Sequence, residues 1–148
     1  MKFTVEVAVR WSDMDAYGHV NHARTVTLLE DARTALLFRE AKRRGLDGFG
    51  GAIVVSRLLV DYLWPVVYTG EPVLADVWVT DVRAASFVLR YAMLGGDDPR
   101  VLTTAETHMV PYDMAAARPR RLTAAERDFL AHWTAEGLTG REGSAASA

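Results

Sequence analysis

Two carboxylates and two imidazoles crowd into one short stretch, Asp13-Met14-Asp15-Ala16-Tyr17-Gly18-His19-Val20-Asn21-His22. The stretch separates an alternating segment from a helical one, so it is expected to be a loop that delivers side chains to the first turn of a helix. Helix-opening amides have no intrahelical partner and carry partial positive charge, which makes them a site for a developing oxyanion. A carboxylate a few residues upstream can act on the same carbonyl as a base or as a nucleophile. That combination suits acyl transfer to water. Asp13, Asp15, His19 and His22 also make up a rival set of hard and borderline metal ligands. Such a set needs both imidazoles on one helix face, whereas the helix is expected to begin between them.

The flanking segments follow two different periods. Phe3, Val5, Val7, Val9 and Trp11 alternate with Lys2, Thr4, Glu6 and Arg10, the pattern of a strand with one buried face. From Asn21 to Arg44 the apolar residues recur at three- and four-residue spacing: Val26, Leu29, Ala32, Leu36 and Leu37, widened by Leu28, Ala35, Phe38 and Ala41. A stripe this wide predicts a long helix that something wraps. Asn21 is suited to cap it, Lys42-Arg43-Arg44 suits the negative end of its dipole, and Gly45 fits just past its end. Beyond the glycine-rich residues 45–51, strand-like runs follow at 53–62, 73–80, 87–93 and 101–110, with Gly95-Gly96-Asp97-Asp98-Pro99 as a turn. Thr123 and Glu126 form a capping box for a short helix over 123–133. Residues 137–148, rich in Gly, Ser and Ala, read as a mobile tail, which leaves one domain over 1–136. The order is strand, long helix, four strands, short helix. It predicts an α+β domain in which one antiparallel sheet and one dominant helix bury each other's apolar faces.

Composition narrows the chemistry. The 148 residues are half hydrophobic and 24% charged, which fits one globular domain with a complete core. A net charge of −2 gives no bulk attraction to nucleic acid or anionic membrane, so neither is an expected partner. The absence of cysteine excludes a thiolate nucleophile, a disulfide scaffold and any thiolate-bound metal. No signal peptide and no membrane-spanning run are visible, and a cytoplasmic location is the expectation. No G-x-S-x-G elbow occurs, and Gly48-Phe49-Gly50-Gly51 lacks the Lys-Ser/Thr of a phosphate-binding loop.

Trp11-Ser-Asp-Met-Asp-Ala-Tyr-Gly-His-Val-Asn-His22, followed by Glu30-Asp-Ala-Arg33, resembles the signature of the hot-dog-fold acyl-CoA thioesterases of the 4-hydroxybenzoyl-CoA thioesterase-like group. That signature reads D-x-D-x-x-G-H-V-N-N, a tyrosine three residues later, then E-x-A-R. Weaker matches extend the resemblance through Asp61-Tyr62-Leu63-Trp64-Pro65, Thr69-Gly70-Glu71-Pro72-Val73, Ser86 and Thr107-His108-Met109-Val110, so that it covers most of residues 3–125. It implies a five-stranded antiparallel sheet wrapped around one long central helix, with a short C-terminal helix. It further implies a homodimer built by pairing sheets, a site between protomers, and assembly to a homotetramer. The substrate implied is an acyl-CoA, with an acyl carrier protein thioester as the alternative, and no cofactor or metal is required. The catalytic carboxylate of the family falls on Asp15, and the amide that polarises the carbonyl falls near His22. The plant acyl carrier protein thioesterases of the same fold carry D-x-N-x-H-V-N-N; Asp15 and His19 match that pattern, and its middle asparagine is Tyr17. Two departures concern the mouth of the acyl pocket: His22 replaces the second asparagine, and Thr25 replaces the tyrosine of the first helical turn.

Each residue also has a plainer reading. Asp15 alone is a common turn cap, and its surroundings favour catalysis. Asp13 is expected to hold the loop by accepting backbone hydrogen bonds. His19 either orients the thioester or satisfies a polar contact, and Asn21 caps the helix while facing the same loop. Tyr17, Thr25 and Ser86 are the candidate substrate contacts, Ser86 being equally suited to end a β-turn. Glu30 is expected to pair with Arg33 one turn on. Arg118, Arg120 and Arg121 form either a solvated basic run or a contact for the coenzyme phosphates. Trp64, Trp78 and Phe87 line the acyl pocket or belong to the core. A hydratase on this fold is disfavoured: its pattern, G-D-x-N-P-x-H, sets the His five positions after the Asp, whereas His19 stands four after Asp15 and neither the Asn-Pro nor the preceding Gly is present. A non-catalytic acyl-CoA-binding module would carry nearly the same sequence.

Overall fold

The computed structural model describes residues 1–135; the expected tail at 137–148 lies outside the described residues. Five strands, β1 (Phe3–Val7), β2 (Ala52–Tyr62), β3 (Val73–Thr80), β4 (Phe87–Leu94) and β5 (Val101–Asp113), form one antiparallel sheet in the order β1-β3-β4-β5-β2. A two-residue strand, β6 (Arg118–Pro119), pairs with the end of β5. A continuous helix of 22 residues lies in the curl of this sheet: α1 (His22–Thr34), a π-helical segment (Ala35–Glu40) and a last turn, α2 (Ala41–Arg43). A short helix, α3 (Ala124–His132), closes the end of the roll, its capping box of Thr123 and Glu126 formed as expected. This is the hot-dog arrangement. No described helix is long and apolar enough to cross a membrane.

The sheet curls around the helix because the helix's apolar face is wide over its middle, leaving only a strip of Asp31, Thr34, Phe38 and Arg39 exposed. Ala35, Leu36 and Leu37 are buried in succession, with Leu28, Leu29 and Ala32 buried one to two turns earlier. The π segment widens the helix there. Against it lie the inward residues of alternate strand positions: Val73, Ala75, Val77 and Val79 of β3, and Phe87, Leu89, Tyr91 and Met93 of β4. Inside this layer the Tyr91 hydroxyl and Thr107 Oγ1 satisfy each other at 2.8 Å. At the α3 end, the Phe49 ring packs on Phe87 and Phe129 at centroid separations of 6.0 and 5.8 Å.

Two expectations need correction in their bounds. The first strand ends at Val7 and does not reach Trp11, because its partner β3 begins at Val73, directly after Pro72. Trp11 opens a 3-10 turn (Trp11–Asp13) and stands exposed. The last long strand runs past Val110 to Asp113, through Pro111, whose carbonyl accepts the Arg120 amide.

Two buried carboxylates hold the ends of the helices. Glu126 has no exposed surface and receives Arg120 Nη1 and Nη2 at 2.9 and 2.8 Å and the Thr123 amide at 2.8 Å. Burial pushes this carboxyl up, and Arg120 with the Thr123 contacts more than reverses that push, so it ionises below the ordinary range. Gly48 lies against it: a Cβ there would stand 2.7 Å from Glu126 Oε1, so only glycine fits. Glu40 sits near the helix C-terminus, where the dipole disfavours a negative charge. Hydrogen bonds from Arg43 at 2.7 and 2.6 Å outweigh the upward push of burial, Arg44 adds a third at 2.7 Å, and the pKa falls from 4.5 to about 2.

Because the folded pKa of Glu40 lies below its unfolded value, its stabilisation is complete above about pH 4.5 and is lost as pH falls toward 2. Glu40→Gln is therefore expected to lower stability at pH 7, and the difference from wild type is expected to close between pH 4.5 and 2. Urea melts across that range check both limbs.

Candidate active site

The polar stretch folds as a tight loop between the 3-10 turn and α1. The Gly18 amide donates to the Asp15 carbonyl at 3.0 Å and the Asp15 amide to the His19 carbonyl at 3.0 Å, with Gly18 at a φ of 75° that favours glycine. Met14 and Val20 pair as an isolated bridge at the base. The Val20 amide donates to the Val66 carbonyl at 2.7 Å, which ties the loop to the segment following β2. Asp13 is buried and structural: its Oδ2 accepts the Arg10 amide at 2.8 Å, and its carbonyl accepts the Asn21 amide at 2.9 Å.

Asn21 links the carboxylate to the helix. Its Oδ1 caps α1 by accepting the Ala23 amide at 2.9 Å, and its Nδ2 donates to Asp15 Oδ2 at 3.2 Å. Asp15 Oδ1 accepts the Tyr17 amide at 3.0 Å. Each carboxylate oxygen thus has one partner and a lone pair to spare, and the orientation is fixed. Among the helix-opening amides, Asn21 is held by Asp13 and Ala23 by the cap, and the Thr25 amide makes the first helical bond back to Asn21. Among the described residues, the amides of His22 and Arg24 have no hydrogen-bond acceptor. A fixed carboxylate and a helix-opening amide with no acceptor share one cleft, an arrangement suited to acyl transfer.

These groups open onto a cleft of about 560 Å³. Asp15, Tyr17, His19, His22 and Thr25 line it, and Asn21 stands behind Asp15. Ser86 does not line it. Ser86 immediately precedes β4, where Phe87 pairs with Met109, whereas the cleft meets β5 at Thr103, about 20 Å away along the strand. The opposite wall comes from the end of β2 and beyond, Tyr62 to Val66, and the floor includes Thr103. Trp64 lines the cleft, Phe87 belongs to the core, and Trp78 faces the other side of the sheet beneath the Lys2 ammonium, 4.5 Å away. Arg120 is engaged by Glu126 and by the Gly48 carbonyl, which leaves Arg118 and Arg121 exposed. Glu30 meets Arg33 at 3.9 Å. Among the described residues, no group of three or more His, Asp or Glu is placed to hold a metal ion. Tyr62 and Thr103 were not visible as site residues in the sequence: Tyr62 belonged to a weak match, and only strand pairing brings Thr103 to the helix start.

The chain and its fold have known counterparts. The model of the thioesterase-like superfamily matches residues 9–134. No curated protein matches the chain. Among solved structures, the PA2801 protein of Pseudomonas aeruginosa, named as a candidate thioesterase, is 29% identical with a TM-score of 0.73, over 84% of this chain and 95% of that one. A Thermus thermophilus thioesterase solved with coenzyme A and zinc is 27% identical with a TM-score of 0.70, over 88% and 92%. A 1,4-dihydroxy-2-naphthoyl-CoA thioesterase from Synechocystis shares the fold at 19% identity, with a TM-score of 0.75 over 88% and 96%.

One contact braces the helix start from the sheet. The Tyr62 hydroxyl donates to the His22 carbonyl at 2.9 Å, with the two rings edge to face at 6.4 Å. That carbonyl shares a peptide plane with the Ala23 amide that Asn21 caps, so the plane is held from both sides. Tyr62→Phe is expected to speed amide hydrogen exchange at Ala23 and Thr25, the two bonded amides of this turn, severalfold while leaving α3 unchanged, as mass spectrometry or NMR would read.

Proposed function

The chain belongs to the thioesterase-like superfamily, and on that footing we propose that it hydrolyses an acyl-CoA thioester to the free carboxylic acid and coenzyme A. The observation that carries this reading is the Asp15 carboxylate, fixed by Asn21 and the Tyr17 amide, in one cleft with the unclaimed His22 amide. The thiol partner is read as coenzyme A because a 27% identical neighbour was solved with it. A cytoplasmic location belongs to the same reading.

In this mechanism Asp15 takes a proton from water as the water oxygen attacks the thioester carbon, or attacks that carbon itself to form a mixed anhydride that water then opens. The carbonyl oxygen gains negative charge and is met by the His22 amide, a donor that needs no reorganisation because the helix holds it. Collapse breaks the carbon–sulfur bond; on the general-base path the thiolate takes back the proton that Asp15 drew from water, and on the anhydride path it leaves as the thiolate and takes its proton from solvent. His19 and Asn21 shape the loop, and Tyr17 and Thr25 contact the acyl group.

A homodimer completes the reading. β2 is an eleven-residue edge strand that carries Val54, Val55, Leu58, Leu59 and Tyr62 largely exposed, the kind of edge that otherwise promotes aggregation. Antiparallel pairing of β2 with β2 of a second copy covers it with a closed two-fold contact. Such a pair sets the Ala52 end of one strand beside the Tyr62 end of the other. Ser86, Arg118 and Arg121 of the second copy, which lie toward that end, then approach the cleft, where they are suited to contact the substrate and its phosphates.

Asp15→Asn is expected to fold normally and to lose turnover by about a hundredfold or more, measured by thiol release from a panel of short, long and aromatic acyl-CoAs. Wild-type turnover in this variant would remove Asp15 from the mechanism. The assembly is checked separately: wild type is expected to sediment as a dimer or larger, and Leu59→Lys to shift it toward monomer with a parallel fall in activity.

A further inference from the structure

Thr103, which lines the cleft beside Asp15, carries a buried hydroxyl that no group among the described residues hydrogen-bonds. We propose that Thr103 is a specificity-determining residue whose hydroxyl selects an acyl group carrying a hydroxyl or oxo oxygen of its own. The inference rests on the acyl-CoA reading above and refines it by naming the class of acyl group.

Thr103 lies on β5, opposite Tyr62 across the β2 ladder and Met93 across the β4 ladder, so its side chain shares the inward face with both. Tyr62 reaches the first turn of α1 from that same face. Thr103 is fully buried, its Oγ1 has no hydrogen-bond partner among the described residues, and the residue lines the cleft together with Asp15 and His22. The neighbouring hydroxyls are otherwise occupied: Tyr62 donates to the His22 carbonyl, and Thr25 Oγ1 lies 3.4 Å from the Asn21 carbonyl. Thr80 Oγ1 and Trp133 Nε1 also lack partners among the described residues, but neither residue lines this cleft.

A buried hydroxyl without a partner is uncommon, and the deficit persists if an apolar group is laid against it. An acyl oxygen removes the deficit. A site that hydrogen-bonds a substrate oxygen discriminates against the analogue lacking it far more strongly than an apolar pocket discriminates against an added hydroxyl. The facing wall of Leu63, Trp64, Pro65 and Val66 is apolar, so the rest of the acyl group meets carbon. The geometry therefore describes an acyl group that is apolar along one side and bears an oxygen where it meets β5.

The test uses CoA thioethers that lack the reactive carbonyl, in matched pairs that differ by one hydroxyl on an aliphatic or aromatic group, titrated calorimetrically into the full chain. In wild type the hydroxylated member of at least one pair is expected to bind about tenfold tighter or more. That ratio is expected to fall close to one in Thr103→Val and to persist in Thr103→Ser, which keeps the hydroxyl. Thr103→Ala serves the same purpose where circular dichroism shows Thr103→Val misfolded. Equal binding within every pair, tighter binding of the plain member, no binding of any analogue, or a ratio that survives loss of the hydroxyl would each overturn the role of Thr103. The analogues cannot be hydrolysed, so failure here is distinct from failure of the thiol-release assay, which tests the activity itself.

Discussion

The fold depends on burying a helix whose apolar face is unusually wide along its middle, with only the strip of Glu30, Asp31, Thr34, Phe38 and Arg39 left to solvent. Three consecutive residues, Ala35, Leu36 and Leu37, are sealed from water, and a helix lying on a flat sheet could not bury all of them. The sheet therefore has to curl, and the inward residues of β3 and β4 supply the surface it curls with. At 1.5–3 kcal/mol for each large apolar side chain removed from water, burial of Leu28, Leu29, Leu36 and Leu37 alone contributes on the order of 10 kcal/mol before the opposing chain entropy. The small residues Ala32, Ala35 and Ala41 between them let the strands approach closely.

Enclosure also decides where chemistry can occur. A wrapped helix offers its backbone only at its ends. The C-terminal end carries Glu40 with Arg43 and Arg44, and the N-terminal end opens onto the cleft. There Asn21 acts in two directions, saturating one helix-opening amide and orienting the Asp15 carboxylate in the cleft that His22 also lines. Tyr62 braces the same turn from β2. The site is thus held by a helix end, a tight loop and a strand end, elements that the core itself fixes in place.

The parts of this arrangement that depend on local sequence were legible in it. The wide stripe at helical spacing, the Asn21 cap, the Thr123–Glu126 box and the carboxylate loop all appear where residue types and spacing indicate. What depends on distant pairing was not. The early end of β1 follows from the position of Pro72 beside β3, seventy residues on along the chain in round terms, about the separation that only tertiary structure bridges. The basic run at Arg118, Arg120 and Arg121 looks uniform in sequence, yet buried Glu126 singles out Arg120 for a structural role. Thr103 carries no local signal, since its meaning comes from facing Tyr62 and Met93 across two ladders.

The π-helical turn over Ala35–Glu40 has a consequence for how this chain can change in length. A π turn is an α-helical turn holding one extra residue, with the flanking turns left in phase. Insertions and deletions are normally confined to surface loops, because one residue gained or lost inside a helix rotates everything beyond it by about 100°. Here a single deletion converts the bulge to regular helix and leaves both ends of the helix facing as before. The most deeply buried element of the fold therefore contains a position where an evolving lineage can gain or lose a residue without moving the loop that carries Asp15.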